Sequence, residues 1–405
     1  MSRGTKFRPE REPLSSNQAL RLHSASGPFS FLNPTRAHYN HVGSALHELK
    51  DGEEPPPPAY EQHATQPAAD IGFSWTSRNN RKGRHQLLIE PATAASEATY
   101  ACPESTNTIK HMLRVMWRMV TYYPVWDISW LVAYVFTWGS IIWVINGFFA
   151  FLPEVDEYSV FKNETLYGGG ITAFIGATVF EIGSFLLMLE AVNENRTGCF
   201  GWAIRKLYEQ NNRSEKTQQQ LDHMQNEAPE SPQEDAGKAW VWFPSWQDLK
   251  SHYLHELGFL ACLSQLCGAT IFWIAGFTAL PGIFNKMSPG LTDGVYWAPQ
   301  VIGGTGFIIS GTLFMIETQK KWYLPAVDVL GWHIGLWNLI GGIGFTLSPA
   351  FGFDTHYWAQ YQAACSTFWG SWAFLLGSLI QLYESLEKNP VEVEPLKKPD
   401  ASASN

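Results

Sequence analysis

Residues 370–384 read Gly370-Ser-Trp-Ala-Phe374-Leu-Leu-Gly377-Ser378-Leu-Ile-Gln-Leu-Tyr-Glu384, and this spacing decides the fold because it recurs twice upstream. Each earlier copy keeps a glycine, a phenylalanine, two small residues and a terminal glutamate: Gly176, Phe180, Gly183, Ser184 and Glu190, then Gly303, Phe307, Ser310, Gly311 and Glu317. At about 100° per residue the glycine, the phenylalanine, the first small residue and the glutamate, at offsets 0, 4, 7 and 14, fall within roughly an 80° arc of a helix. They therefore share one stripe of a helix surface.

This stripe of small residues is typical of helices that pack closely in lipid, where packing rather than hydrophobicity drives association. The helix-packing residues predicted from it are Gly176, Phe180, Gly183, Gly303, Phe307, Gly370, Phe374 and Gly377. A second interpretation is that the same stripe lines a conduction path.

Six apolar segments are long enough to span a bilayer, which takes about 20 residues. They lie at about residues 129–151, 169–190, 257–281, 299–317, 327–349 and 361–383. Tryptophans cluster near their ends, where amphipathic rings favour the headgroup level. The 405-residue chain is therefore predicted to be an all-α, polytopic membrane protein with six transmembrane helices, and the lipid bilayer is its first partner.

The six segments pair into three two-helix units. The first helix of each unit ends in a Gly-Phe step followed by a proline, as in Gly147-Phe148 and Pro153. Because each unit crosses twice, the three units have the same orientation and form parallel repeats about an axis along the membrane normal. The predicted parts are a disordered cytosolic tail (1–103), an interfacial helix with the first hairpin (104–191), a cytosolic loop (192–256), a second hairpin (257–318), a third hairpin (319–388) and a second disordered tail (389–405).

The first 103 residues are rich in Pro, Ser, His, Gln and charge without an apolar period, which predicts disorder. Within them Pro57, Pro58 and Tyr60 form a PPxY motif, the ligand that WW domains bind in aromatic grooves. The predicted partner is a HECT-type ubiquitin ligase that carries WW domains. The alternative is an inert run of prolines.

The distribution of Lys and Arg predicts the orientation of the chain in the membrane. They concentrate in the second and fourth connections and in the C-terminal tail, while the first and third connections hold Lys162 and Lys286 alone. Both termini are therefore predicted to be cytosolic, in a plasma membrane or endomembrane. Asn163, in the sequon Asn-Glu-Thr, then lies on the opposite side and is predicted to be glycosylated.

Glu181 lies about midway along the second span, where an ionised carboxylate costs roughly 3 kcal/mol or more. One interpretation is a proton or cation site. The other is a protonated glutamate that hydrogen-bonds a neighbouring helix, with His333, Asn338, Asn146 and Gln265 as candidate partners.

Glu190, Glu317 and Glu384 end the three even-numbered spans. A threefold acidic ring of this kind could gather cations. The alternative is that the three glutamates only mark where each helix leaves the hydrocarbon.

We find no pattern in this sequence that is typical of nucleic-acid binding, metal binding or catalysis. A net charge of −9, spread over tails and loops, predicts no nucleic-acid surface. The run His252-Tyr-Leu-His255-Glu256 has the wrong order for a zinc-protease helix. No nucleophile arrangement or nucleotide motif is present, so we expect no metal, no cofactor and no enzymatic activity.

The signature Gly370-Ser-Trp-Ala-Phe374-Leu-Leu-Gly377-Ser378 resembles the two-helix YrhK-like membrane module. The run from Gly335 to Phe345, together with Phe368 to Phe374, is similar to a group of fungal multi-pass membrane proteins of unknown function. The resemblance covers about residues 107–388 and implies no known activity. It departs at Glu181 and at Ser310-Gly311, where the Gly-Ser order is inverted.

The sequence therefore predicts a non-enzymatic membrane scaffold or sensor whose tail recruits a WW-domain partner. The alternative is a proton- or cation-coupled transporter or channel, with Glu181 as its site and the acidic span ends as a vestibule.

Overall fold

The computed structural model describes residues 6–7, 12–14, 20–41, 71–89, 105–156, 158, 160–220 and 239–393. The strands are β1 (Leu20–Ser26), β2 (Arg36–His41), β3 (Ile71–Thr76), β4 (Gln86–Ile89) and β5 (Val391–Val393). The α-helices are α1 (Ser77–Arg81), α2 (Ile109–Thr121), α3 (Ile128–Val155), α4 (Gly170–Val192), α5 (Phe200–Gln220), α6 (Trp246–Ser251), α7 (Leu257–Thr278), α8 (Pro289–Thr292), α9 (Ala298–Glu317), α10 (Leu330–Gly352) and α11 (Tyr357–Leu386).

Six of these helices, α3, α4, α7, α9, α10 and α11, are long and apolar enough to cross a membrane, which confirms the six predicted spans. Their bounds differ from the prediction by a few residues. Helices α3 and α10 continue past Pro153 and Pro349 and end within three residues of them, so each proline lies in the last turn. Asp127 caps α3 by accepting from the backbone amides of Ser129 and Trp130.

The six helices form a closed ring in which each helix packs against the next along the chain and α11 packs against α3. Two layers of aromatic rings fill the axis of this ring. Phe180, Phe307 and Phe374 form one layer, with ring centroids 5.5–6.4 Å apart. Trp143, Phe272 and Phe345 form the other, at 4.8–5.7 Å.

The predicted helix-packing glycines lie at contacts between helices. A Cβ on Gly176 would lie 2.9 Å from the Trp143 indole, and one on Gly303 would lie 2.6 Å from the carbonyl oxygen of Gly268. Gly183 faces Phe136, Gly370 faces Phe345, and Gly377 faces Asn338. The stripe thus brings helices together, and its phenylalanines point at the axis.

Residues expected to be disordered form a five-stranded sheet in the order β1-β2-β3-β4-β5, antiparallel except for the parallel pair β4–β5. The prediction of disorder is therefore wrong for residues 20–41 and 71–89 of the first tail and for 391–393 of the second. The sheet has a small core of Ala37, Tyr39 and Trp75, and much of its support comes from polar contacts with the helix bundle. Such contacts leave no apolar period in the sequence. The PPxY motif lies outside the described residues.

Candidate functional site at the glutamate end of the bundle

Glu190, Glu317 and Glu384 lie in the last turns of α4, α9 and α11, at one end of the ring, which we call the glutamate end. All three are buried, with at most 2% of each residue exposed. Withdrawing a carboxylate from water costs several kcal/mol unless it is paired. Each of these glutamates has a cationic partner, and every partner comes from the same short segment of the N-terminal region.

That segment is α1 with the residue that follows it. Arg78, Arg81 and Lys82 are spaced i, i+3 and i+4, so they share one helix face. Thr76 caps the helix by accepting from the Asn79 amide at 3.1 Å. The three cations are themselves buried, with 2–5% exposed. The segment thus delivers three positive charges into the glutamate end.

Each glutamate pairs with a different one of these three cations, and Glu384 has Arg84 as a second partner. Arg81 binds Glu317 through two parallel hydrogen bonds, Nη1–Oε1 at 2.8 Å and Nη2–Oε2 at 3.0 Å. Arg78 Nη2 donates to Glu384 Oε2 at 2.6 Å. Lys82 Nζ lies 3.5 Å from Glu190 Oε1. We call these six residues the ion-pair cluster.

Two side chains outside this set of six residues also donate hydrogen bonds to its glutamates. Ser77 Oγ donates to Glu317 Oε1 at 2.9 Å, and Arg84 Nη1 donates to Glu384 Oε1 at 2.8 Å. Glu317 and Glu384 therefore each accept from two residues of the N-terminal segment.

The pair formed by Lys82 and Glu190 is the weakest of the three. Among the residues that the structure describes, Lys82 Nζ and both Glu190 carboxylate oxygens lack a hydrogen-bond partner. Burial lowers the pKa of Lys82, and the nearby Glu190 carboxylate only partly opposes it. At Arg81, burial is again the largest single influence and acts to lower the pKa, but the Glu317 charge and hydrogen bond, together with Cys262 and Glu190, outweigh it and raise the pKa of the guanidinium.

Two glycines at helix starts make room for the arginines. A Cβ on Gly258, in the first turn of α7, would overlap the Arg81 guanidinium. A Cβ on Gly331, in the first turn of α10, would overlap Arg78. Helices α7 and α10, the third and fifth spans, therefore begin with notches that admit the arginines to the glutamates at the ends of the neighbouring spans.

Further contacts hold the rim of the sheet to the bundle. Asn33 Nδ2 donates to Glu256 Oε1 at 2.6 Å, and Asn80 Nδ2 donates to Glu194 Oε2 at 2.9 Å. Lys388 bridges Asp127 Oδ2 at 2.9 Å and the Lys82 carbonyl at 2.8 Å. Burial, and then the Glu194 charge, raise the pKa of Glu256 to about 8, while the Asn33 hydrogen bond lowers it.

Glu181 stands apart from the cluster, between α4 and α7. Its Oε1 accepts from Thr270 Oγ1 at 2.9 Å, so Thr270 is its partner rather than any of the four residues considered from the sequence. Its other oxygen has no partner among the described residues. Asn163 lies exposed in the turn after α3, in a left-handed conformation with φ of 63°.

The opposite end of the ring holds a cavity of about 320 Å³, and we call it the cavity end. Trp143, Phe272 and Phe345, the second aromatic layer, form its floor. Its walls come from the last turn of α3, the start of α4 and the first turn of α11. A much smaller cavity, about 30 Å³, is lined by the three cations of the ion-pair cluster and by bundle residues that include Phe136 and Phe314.

Sequence reasoning found the three glutamates but missed their partners. The signal that was present is Ser77-Arg78-Asn79-Asn80-Arg81-Lys82, which places three cations on one helix face behind a threonine cap. Comparison of the chain with protein-family models, with curated proteins and with solved structures gives no match.

Proposed function

We propose that this integral membrane protein is a non-enzymatic sensor or scaffold that works by docking and releasing its N-terminal segment at the glutamate end. The observation that carries the proposal is that each of three buried glutamates on the bundle pairs with a cation from one short N-terminal segment, and that Glu384 pairs with two. Removing one partner of a buried pair leaves an uncompensated charge and costs about 3–5 kcal/mol. Such a contact tends to be either complete or absent, which suits a switch.

The three glutamates lie on three different helices, so the docked state depends on how those helices sit relative to each other. A shift of α4, α9 or α11 moves one carboxylate away from its cation on α1. Because interfaces of packed groups are bistable rather than continuously deformable, a small helix shift can release the whole segment. The conformation of the bundle would thereby determine whether the N-terminal segment is docked.

Release would change the presentation of residues 42–70, which carry Pro57, Pro58 and Tyr60. This segment joins β2 to β3, and Asn40 pairs with Gly72 across those strands, so the sheet holds both of its ends. In our proposal, a docked sheet withholds the PPxY motif from its partner, and an undocked sheet offers it to a WW domain of a ubiquitin ligase.

Two further parts of the proposal concern architecture and topology. The ring of neighbouring helices and the two three-membered aromatic layers support three parallel two-helix repeats. The excess of Lys and Arg in the connections at the glutamate end supports a cytosolic location for that end and for both termini.

The test is WW-domain binding to the full chain in nanodiscs. Arg81→Glu, which reverses the charge beside Glu317, should undock the segment and tighten WW binding several-fold. Tyr60→Ala should abolish binding in both backgrounds. Arg205→Glu is the matched control, because Arg205 pairs with Glu209 at an exposed site with 73% and 64% of their side chains accessible. Equal WW binding by wild type and Arg81→Glu, once undocking is verified by hydrogen exchange, would contradict the proposal.

A proton- or cation-coupled transporter or channel is the second candidate, favoured by the position of the 320 Å³ cavity at one end of the ring. The aromatic layers and the docked segment would then close the path on its other side. The test is proton flux in proteoliposomes at an imposed pH gradient. Flux that Glu181→Gln abolishes would support this function, and flux in neither protein would count against proton transport.

A further inference from the structure

The cavity at the end of the ring opposite the ion-pair cluster has the chemistry of a small-molecule site. Its volume of about 320 Å³ is at the lower end of the roughly 300–1,000 Å³ range of such sites. The charge and hydrogen-bonding groups on its walls restrict what it can take.

The walls are rich in aromatic faces. Trp143, Phe272 and Phe345 form the floor, and Phe284, Tyr296 and Trp297 contribute from the connection before α9. Aromatic faces attract cations through the ring quadrupole, most strongly where water is excluded. Aromatic faces contact apolar groups equally well, so the polar groups of the lining decide whether the cavity prefers a cationic or an apolar ligand.

Two of the amides in the wall, those of Asn146 and Gln360, have already used their donors on the protein. Asn146, with only 6% exposed, donates from Nδ2 to the Gly169 carbonyl at 2.7 Å and to Thr172 Oγ1 at 3.0 Å. Gln360 Nε2 donates to the Asp354 carbonyl at 2.5 Å. Among the described residues, neither amide oxygen accepts a hydrogen bond from the protein, so both remain available as acceptors.

The charged lining residue is also an acceptor. Glu154, in the last turn of α3, lines the cavity, and its carboxylate has no ion-pair partner among the residues that the structure describes. Among the described residues, no Lys, Arg or His lines the cavity. The described part of the lining therefore offers one negative charge, unpaired amide oxygens and aromatic faces, without a cation to balance them.

We propose that this cavity binds a small organic cation, a protonated amine or quaternary ammonium with apolar substituents. The charged nitrogen lies near Glu154 and an aromatic face, and the apolar substituents fill the space above the second aromatic layer. A protonated amine would in addition donate to Asn146 or Gln360. This site is independent of the docking proposed at the other end of the bundle, since it shares none of the residues of the ion-pair cluster.

The test is calorimetric titration of the full chain in nanodiscs, with empty nanodiscs as the blank. The probe is phenyltrimethylammonium, and its neutral isostere tert-butylbenzene is the matched ligand control. We expect the cation to bind at least tenfold more tightly than the isostere. Glu154→Gln, which keeps the shape but removes the charge, should weaken cation binding about tenfold and leave the isostere unchanged.

Asp293→Asn is the control variant, because Asp293 is acidic and exposed at the same end of the bundle but does not line the cavity. It should leave the Kd for the cation unchanged. Equal binding of the isostere and the cation would overturn the proposal in favour of an apolar or lipid ligand. An unchanged Kd in Glu154→Gln, or no binding of the cation at millimolar concentration by folded wild type, would also overturn it.

Discussion

Arg81 and Glu317 form a two-bonded ion pair between residues 236 positions apart, with 3% and 2% of each residue exposed. The pair joins the N-terminal segment to the end of a membrane-spanning helix. A planar guanidinium fits a carboxylate in this geometry, which gives direction as well as attraction. It also sits over the Phe314 ring, 5.3 Å from its centroid. We regard this pair as the centre of the docked state.

The notches at Gly258 and Gly331 are expected to be required for docking. Gly258→Ala and Gly331→Ala place a methyl group against Arg81 and Arg78, so each should weaken docking by about 1–3 kcal/mol. Helix propensity alone would predict the reverse, since alanine is favoured over glycine by about 1 kcal/mol. Hydrogen exchange of residues 71–89 measures the change. Gly290→Ala is the control, because its Cβ would meet nothing within 4 Å, and equal exchange in all three variants would refute the role of the notches.

The pair of Lys82 and Glu190 should behave differently from its neighbours. Its 3.5 Å separation leaves both groups without hydrogen bonds, so its attraction compensates poorly for burial. Lys82→Met alone should destabilise docking by about 3–5 kcal/mol, whereas Lys82→Met with Glu190→Met should be neutral or stabilising by about 1–4 kcal/mol. Hydrogen exchange of the docked segment, measured as the temperature is raised, distinguishes the single variant from the double variant. A double variant whose docked state is as unstable as that of the single variant would show that the Lys82–Glu190 pair stabilises docking.

Docking is expected to weaken as the pH rises, because of Glu256. Its pKa is about 8 when docked, raised by burial and by Glu194, and Glu317, Arg81, Asn33 and His252 are its other polar neighbours. Burial is the largest cause of the shift, so we expect the pKa of Glu256 to fall towards its ordinary value of 4.5 when release of the segment exposes the carboxyl to water. The docked state therefore holds more protons between about pH 4.5 and 8, and by linkage its stability is fully present below that window and falls through it.

The measurement for Glu256 is hydrogen exchange of β2, corrected for the intrinsic rate at each pH. Glu256→Gln should remove the dependence of β2 protection on pH and keep docking strong at pH 8. If the wild-type profile is already flat from pH 5 to 8, Glu256 is not the group that titrates.

Asn163 tests the topology. Its exposed turn lies at the cavity end, where our topology places the lumenal or extracellular side. We expect an endoglycosidase-sensitive mobility shift that Asn163→Gln removes. Asn212→Gln, at a second sequon placed on the cytosolic side, should change nothing. If Asn212→Gln removes the mobility shift instead, the topology is the inverse of the one that we propose.

The sequence predicts the six spans and the packing stripe well because both are local patterns. Apolar length marks a span, and spacing of 0, 4, 7 and 14 from Gly370 marks a face. The sheet was missed because its strands are short, polar outside a small core and partly supported by the bundle. Arg78, Arg81 and Lys82 were missed because their meaning depends on carboxylates more than 100 residues away in the chain.

The most direct test of the account is a double-mutant cycle on Arg81 and Glu317. Arg81→Met and Glu317→Gln are measured singly and together, with the free energy of opening read from hydrogen exchange of residues 71–89. We expect each single change to cost about 3–5 kcal/mol and the double variant to cost no more than the worse single one, because the partners fail together. Losses that simply add, or single variants that stay as protected as wild type, would contradict docking by ion pairs.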